Sequence, residues 1–225
     1  MKLFIKQAFG LGDILFLSPL IQEIEKDGNI ELIFWKIKDE YHWVKDYLKF
    51  TKTILVKESQ ELDNLDWFQT LNFEQSFHIV GGRDCMEAKY NLVKAPLEIW
   101  RNISFKRNFE KEAELLQKLN ISENEEFIFV NNNFADPNLK YSTNIHVGTN
   151  LRIISLEYLE GFTLLDWCGV LEQAKEIHTV STSLYFVIEG IGRTEGLHLY
   201  PRKPFDKDFS PIISLLHPKW TLHND

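Results

Sequence analysis

Cysteine is scarce in this chain: its 225 residues hold two, Cys85 and Cys168, far apart and without CxxC spacing. That excludes a disulfide framework and suits a reducing compartment, with both thiols acting as small buried hydrophobes. Basic charge is short as well. Lys and Arg number 25 against 33 acidic residues, giving a net charge of −8 and a pI near 5.4. A broad nucleic-acid or anionic-membrane surface needs the opposite balance. Long apolar runs are missing too: none approaches the roughly 20 residues of a membrane span, and no signal-type segment precedes the first strand pattern. The expectation is a cytoplasmic protein with no integral membrane segment and no nucleic-acid partner. The chain also lacks GxGxxG, GxxxxGK[ST] and any pair of histidines at zinc-ligand spacing, so neither a dinucleotide or P-loop cofactor nor a metal is expected.

What is present is an ordinary globular composition, 44% hydrophobic and 26% charged, with 17 Phe and 6 Trp. Such a chain is long enough for a large core in one or two domains. Strand and helix patterns alternate from the start. Leu3-Phe4-Ile5, residues 31–35, Thr53-Ile54-Leu55-Val56 and Phe77-His78-Ile79-Val80 read as strands, and the stretch carrying Leu17, Leu20, Ile21 and Ile24, with residues 39–49 and 86–100, as helices. A charged helix over about 109–119 comes next. The polar stretch Ser122-Glu123-Asn124-Glu125-Glu126 then separates a first domain, 1–122, from a second, 123–225. In the second, 127–130, 151–154, 176–180 and 197–200 read as strands and 164–175 and 183–191 as helices, with Thr163 and Asp166 spaced as a capping box. The fold class is α/β, two small Rossmann-like domains.

Two turns carry the chemistry. Gly10-Leu11-Gly12-Asp13 lies beyond the first strand and opens the helix in which Leu17, Leu20, Ile21 and Ile24 share a face. Glycines there permit positive φ and a close backbone approach, and ligands of open α/β sheets gather at strand carboxyl ends. Taken alone, such a turn reads as a tight βα connection with Asp13 capping the helix. The second turn, Ser181-Thr182-Ser183, ends a strand and opens a helix; taken alone it reads as a Ser N-cap, and its hydroxyls and free amides also suit a diphosphate. Arg202 is placed to pair with that diphosphate bidentately, with Arg193 and Lys203 as further candidates. Asn131-Asn132-Asn133 follows the strand 127–130; a plain polar loop is the simpler reading, with Asn131 the candidate among these amides for binding sugar or phosphate hydroxyls. Asp206-Lys207-Asp208 spells DxD but precedes an apparent helix, where an N-cap is the simpler reading.

Together the turns resemble the GT-B glycosyltransferases, whose two Rossmann domains face across a cleft. Gly10-Leu11-Gly12-Asp13-Ile14-Leu15 followed by Pro19 is similar to the opening of family 9, the heptosyltransferases. The resemblance implies that Asp13 is the base for an acceptor hydroxyl. The first domain would then hold the acceptor, a glycan or other hydroxyl compound, and the second a nucleotide sugar donor, without a metal. One departure stands out: the family favours Asp-Ser/Thr-Gly with a His three residues later, where this chain has Ser181-Thr182-Ser183 and then Phe186. A catalytically inactive nucleotide- or sugar-binding module is the alternative. A dinucleotide protein using Glu31 as its ribose acid ranks below both, because Glu31 starts its strand instead of ending it.

Overall fold

The computed structural model describes residues 1–7, 10–58, 69–73, 85–133, 144–201, 212 and 215–223. The chain divides into two compact units, Met1–Lys106 and Arg107–Asp225. The division falls before the charged helix and not at the polar stretch after it. Arg107 explains why: its guanidinium bonds Glu112 on that helix and, at 2.7 and 2.9 Å, Glu172, which ties the helix to the second unit.

The first unit is built on a parallel sheet of β1 (Lys2–Lys6), β2 (Leu32–Ile37), β3 (Thr53–Lys57) and β4 (Gln69–Asn72) in the order β3-β2-β1-β4. Helix α1 (Leu11–Ile24) comes after β1, and Ile14, Leu15, Phe16, Leu17, Leu20 and Ile21 on it are wholly buried. Pro19 inside α1 has no N–H for the carbonyl of Leu15. The Ser18 hydroxyl donates to that carbonyl at 2.8 Å instead, so the helix continues. At the far end, buried Glu25 accepts from the amides of Thr51 and Lys52 and from the hydroxyls of Thr51 and Thr53 at 2.6–3.1 Å, fastening α1 to the start of β3.

Two helical expectations shorten. Residues 39–46 form a 3-10 helix, and the 86–100 pattern resolves into α2 (Cys85–Asn91) and a 3-10 helix over Leu97–Asn102. In the break Lys94 takes φ 56, and Pro96 two residues on keeps the helix from resuming, since it pushes Ala95 out of the helical region. The 77–80 strand pattern, Gly81-Gly82, Arg202, Lys203 and Asp206–Asp208 lie outside the described residues. Strand β4 went unread in the sequence, being polar apart from Leu71.

In the second unit, α3 (Phe109–Lys118) leads to β5 (Phe127–Asn131), β6 (Arg152–Ser155), β7 (Glu176–Val180), β8 (Leu197–Tyr200) and β9 (Trp220–Leu222). All pair in parallel, in the order β6-β5-β7-β8-β9. Every residue of β5 is buried, as expected of a central strand covered on both faces. The Thr163–Asp166 capping box is present, opening a 3-10 turn over Leu164–Trp167 that continues as α4 (Cys168–Gln173). Helix α5 (Leu184–Gly190) comes after β7. Gly196 needs to be glycine: its φ is +63, and a Cβ would meet the Lys175 carbonyl oxygen at 2.5 Å.

Candidate functional site

In the first sheet the strand order reverses direction at β1, with β2 on one side and β4 on the other, so the carboxyl end of β1 is the topological switch point where ligands bind in such sheets. Gly10 and Asp13 lie just beyond it. The glycines do not serve positive φ. Gly10 is extended at φ −71, ψ 173, and Gly12 lies within α1. A Cβ on Gly10 would meet nothing within 4 Å, so the residue's effect is an open approach to the helix start.

Asp13 occupies the first turn of α1, and Gly10 caps the helix without a side-chain bond. A carboxylate there complements the helix dipole, but the side chain turns to a specific partner. Lys89 of α2 forms an ion pair with Asp13 Oδ1, and no other described residue bonds the carboxylate. The Lys89 side chain is 2% exposed and that of Asp13 24%. The ammonium is therefore sealed in the protein while the carboxylate keeps an outlet to solvent. Its neighbours hold α2 in place: Tyr90 donates from its buried hydroxyl to the Phe16 carbonyl at 2.8 Å, and the two rings meet edge-on at 5.0 Å. Burial pushes the Tyr90 phenol far above its ordinary range.

Gln7 adds a second feature. It directly follows β1, is fully buried, and neither atom of its amide has a hydrogen-bond partner among the described residues. Buried polar atoms are nearly always partnered, and exceptions point to function or to an unseen ligand. Sequence reasoning missed both Gln7 and Lys89. Gln7 followed the strand as any polar residue does, and Lys89 carried no spacing signal, because the acid it pairs with, Asp13, is 76 positions away.

In the second sheet the switch point lies between β5 and β7. Asn131 ends β5 and Ser181-Thr182-Ser183 comes directly after β7, so the fold brings these sequence candidates together. Asn131 is 1% exposed and donates from Nδ2 to the hydroxyls of Thr179 and Thr182 at 3.0 and 3.3 Å, while its Oδ1 accepts from the Asn133 amide at 3.1 Å. Its bonding groups are committed to β7 and to the turns that follow β5 and β7. Ser181 is fully buried, Thr182 is 8% exposed, and Ser183 is the partly exposed member of the three. Arg193 does not join them. Its guanidinium donates to the carbonyls of Leu171, Glu172, Lys175 and Glu195 at 2.9–3.1 Å, which occupies it at the end of α4.

No protein-family model matches the chain, and no curated protein matches it in sequence. Solved structures do match. A glycosyl transferase of family 9 from Veillonella parvula aligns over 99% of this chain and 85% of its own, with a TM-score of 0.60 at 9% identity. The fold is that of family 9 glycosyltransferases. The E. coli heptosyltransferase WaaC, solved with ADP-2-deoxy-2-fluoro heptose, aligns over 99% and 93% at TM-score 0.52 and 11% identity. E. coli ADP-heptose lps heptosyltransferase II aligns over 99% and 90% at 0.51 and 8%. These alignments span both units. Among the described residues, no helix is long and apolar enough to cross a membrane.

Proposed function

We propose that this chain is a glycosyltransferase that moves a sugar from a nucleoside diphosphate sugar to an acceptor hydroxyl. The observation that carries the reading is Asp13: a carboxylate on the first helical turn beyond β1, partly open to solvent and held by a buried ammonium. The acceptor oxygen attacks the anomeric carbon, the bond from that carbon to the diphosphate breaks, and Asp13 takes the acceptor's proton. Lys89 fixes the rotamer of Asp13, and orientation of a base is itself a large part of its effect. The departing diphosphate needs donors where its charge grows. Ser183, with Arg202, is the candidate for that role on the donor side, and the first unit is the acceptor side. The shared fold supports the class of reaction, and the ADP-sugar bound to WaaC suggests an adenosine diphosphate sugar as the first donor to try.

Thermal unfolding with ADP, UDP, GDP and CMP sugars at millimolar concentration tests the binding half of the reading. A ligand at 100 times its Kd stabilises by about 2.7 kcal/mol, and the expected outcome is a rise in Tm with one nucleotide class. The catalytic half rests on Asp13→Asn, which should bind the same donor while losing transfer and donor hydrolysis. A wild type that binds donor yet turns nothing over would leave a binding module, a result foreshadowed by Phe186 standing where the family has its histidine. Binding of none of the four nucleotides removes the proposal.

A further inference from the structure

A cluster on the second sheet, which the sugar-transfer reading does not use, has the makings of a metal centre. Glu176 and His178 share one face of β7, and the parallel register sets His178 directly opposite His198 on β8. The two imidazoles stack with centroids 4.2 Å apart and planes 2° from parallel. His178 Nε2 lies 3.1 Å from Glu176 Oε2, and His198 Nε2 lies 3.9 Å from that same oxygen. The three ligand-type atoms all fall within 4.8 Å of one another.

The other nitrogen of each ring is already held. His178 Nδ1 meets the Tyr200 hydroxyl at 3.0 Å, and His198 Nδ1 meets His223 Nε2 at 3.0 Å. His223 in turn stacks on Tyr200 at 4.3 Å, bracing both partners. Each imidazole thus has its Nδ1 anchored and its Nε2 turned toward one carboxylate. This is the arrangement by which outer partners orient metal-ligating histidines.

We propose that Glu176, His178 and His198 bind one divalent first-row transition-metal ion, with zinc the best match, leaving a fourth position for water. Imidazole and carboxylate together suit zinc, and two histidines with one glutamate are a known catalytic zinc set. Bond lengths of about 2.0–2.2 Å put ligand atoms on a tetrahedral ion about 3.3 Å apart. The 3.1 Å pair already lies near that spacing, whereas the 3.9 Å pair and the parallel imidazoles, whose in-plane lone pairs do not converge while stacked, require the His198 ring to rotate out of the stack as the ion binds. His178 is buried, whereas the side chains of Glu176 and His198 are 38% and 24% exposed, so an ion has a route in.

Isothermal titration of the full chain with zinc chloride tests the proposal. One equivalent is expected to bind, and His198→Gln and Glu176→Gln, both at partly exposed positions, should each abolish stoichiometric binding. Tyr200→Phe, which removes the anchor of His178, should weaken it by about 10–100-fold. Cobalt(II) added to the wild type gives a second readout that depends on no variant's folding: intense visible bands of a tetrahedral ion with nitrogen and oxygen ligands are expected. Absence of saturable zinc binding, a weak octahedral cobalt spectrum, or binding that survives His198→Gln and is lost instead on substituting His42, His146 and His217 overturns the assignment.

Discussion

The two units place their candidate residues at equivalent points, the switch points of parallel sheets, but stabilise them by opposite means. In the first, an acid and a buried ammonium face each other across α1 and α2. In the second, the equivalent residues are neutral: an amide and hydroxyls bonded among themselves, with Arg193 turned away to backbone carbonyls. A buried charge leaves a large penalty when its partner is removed, whereas a neutral network loses one hydrogen bond at a time. The first site should therefore be brittle and asymmetric, and the second forgiving.

The strongest way to break that contrast is to remove each half of the ion pair separately. Asp13→Ala removes the carboxylate that pairs with the buried Lys89 ammonium and should cost stability near the low end of the roughly 3–5 kcal/mol seen for broken buried pairs. Lys89→Met leaves a carboxylate that can still reach water, and its cost in urea denaturation should be about 1 kcal/mol, well within the range of ordinary substitutions. Equal costs would show that solvent reaches both charges alike. The same asymmetry bears on catalysis, because an Asp13 variant must be shown to be folded before its lost activity is read as chemistry.

A second charged group in the first unit sharpens the comparison through pH. Burial pushes the Glu25 carboxyl up, but hydrogen bonds from the Thr53 hydroxyl and from Thr51 and Lys52 outweigh it and hold the group below its ordinary 4.5. The native state therefore binds fewer protons at Glu25 than the unfolded chain does. Its contribution is fully present above about pH 4.5 and disappears as pH falls through the lowered native value. Glu25→Gln should cost about 2 kcal/mol at pH 7, as hydrogen bonds to a charged group do. The gap between variant and wild type should narrow on acidification below pH 4.5. A gap independent of pH would remove the charge from the explanation.

The smallest effect is expected in the second unit. Asn131→Ala deletes two donated bonds and one accepted bond, leaving hydroxyls of Thr179 and Thr182 that can rotate to other partners. A loss of about 1–2 kcal/mol is expected, measured beside Asp13→Ala in the same denaturant series. A larger loss than Asp13→Ala would reverse the contrast between the units.

Much of the fold was legible in the pattern of residues. The strands at 176–180 and 197–200 match their observed limits, and the charged helix near 109–119 ends at Lys118 with Asn120 in the left-handed conformation, φ 50. These are apolar runs flanked by turn residues, where local preference and tertiary burial agree. Polar β4 and three-residue β9 were not legible, because pairing with a neighbour and not their own composition makes them strands. The glycines at 10 and 12 were recognised as a marker while their dihedrals were misjudged.

The sequence by itself determined the alternation of strands and helices, the two turns at strand ends and the absence of a disulfide framework, since each depends on residues near one another in the chain. Only the tertiary structure decided which partner Asp13 takes, that Arg193 is spent on backbone carbonyls, and that His178 meets His198 and Glu176 on one face. The physical reason is the parallel sheet. It sets strands side by side that are separated in sequence by a whole helix, so its cross-strand contacts arise from register and packing and leave no trace in local spacing.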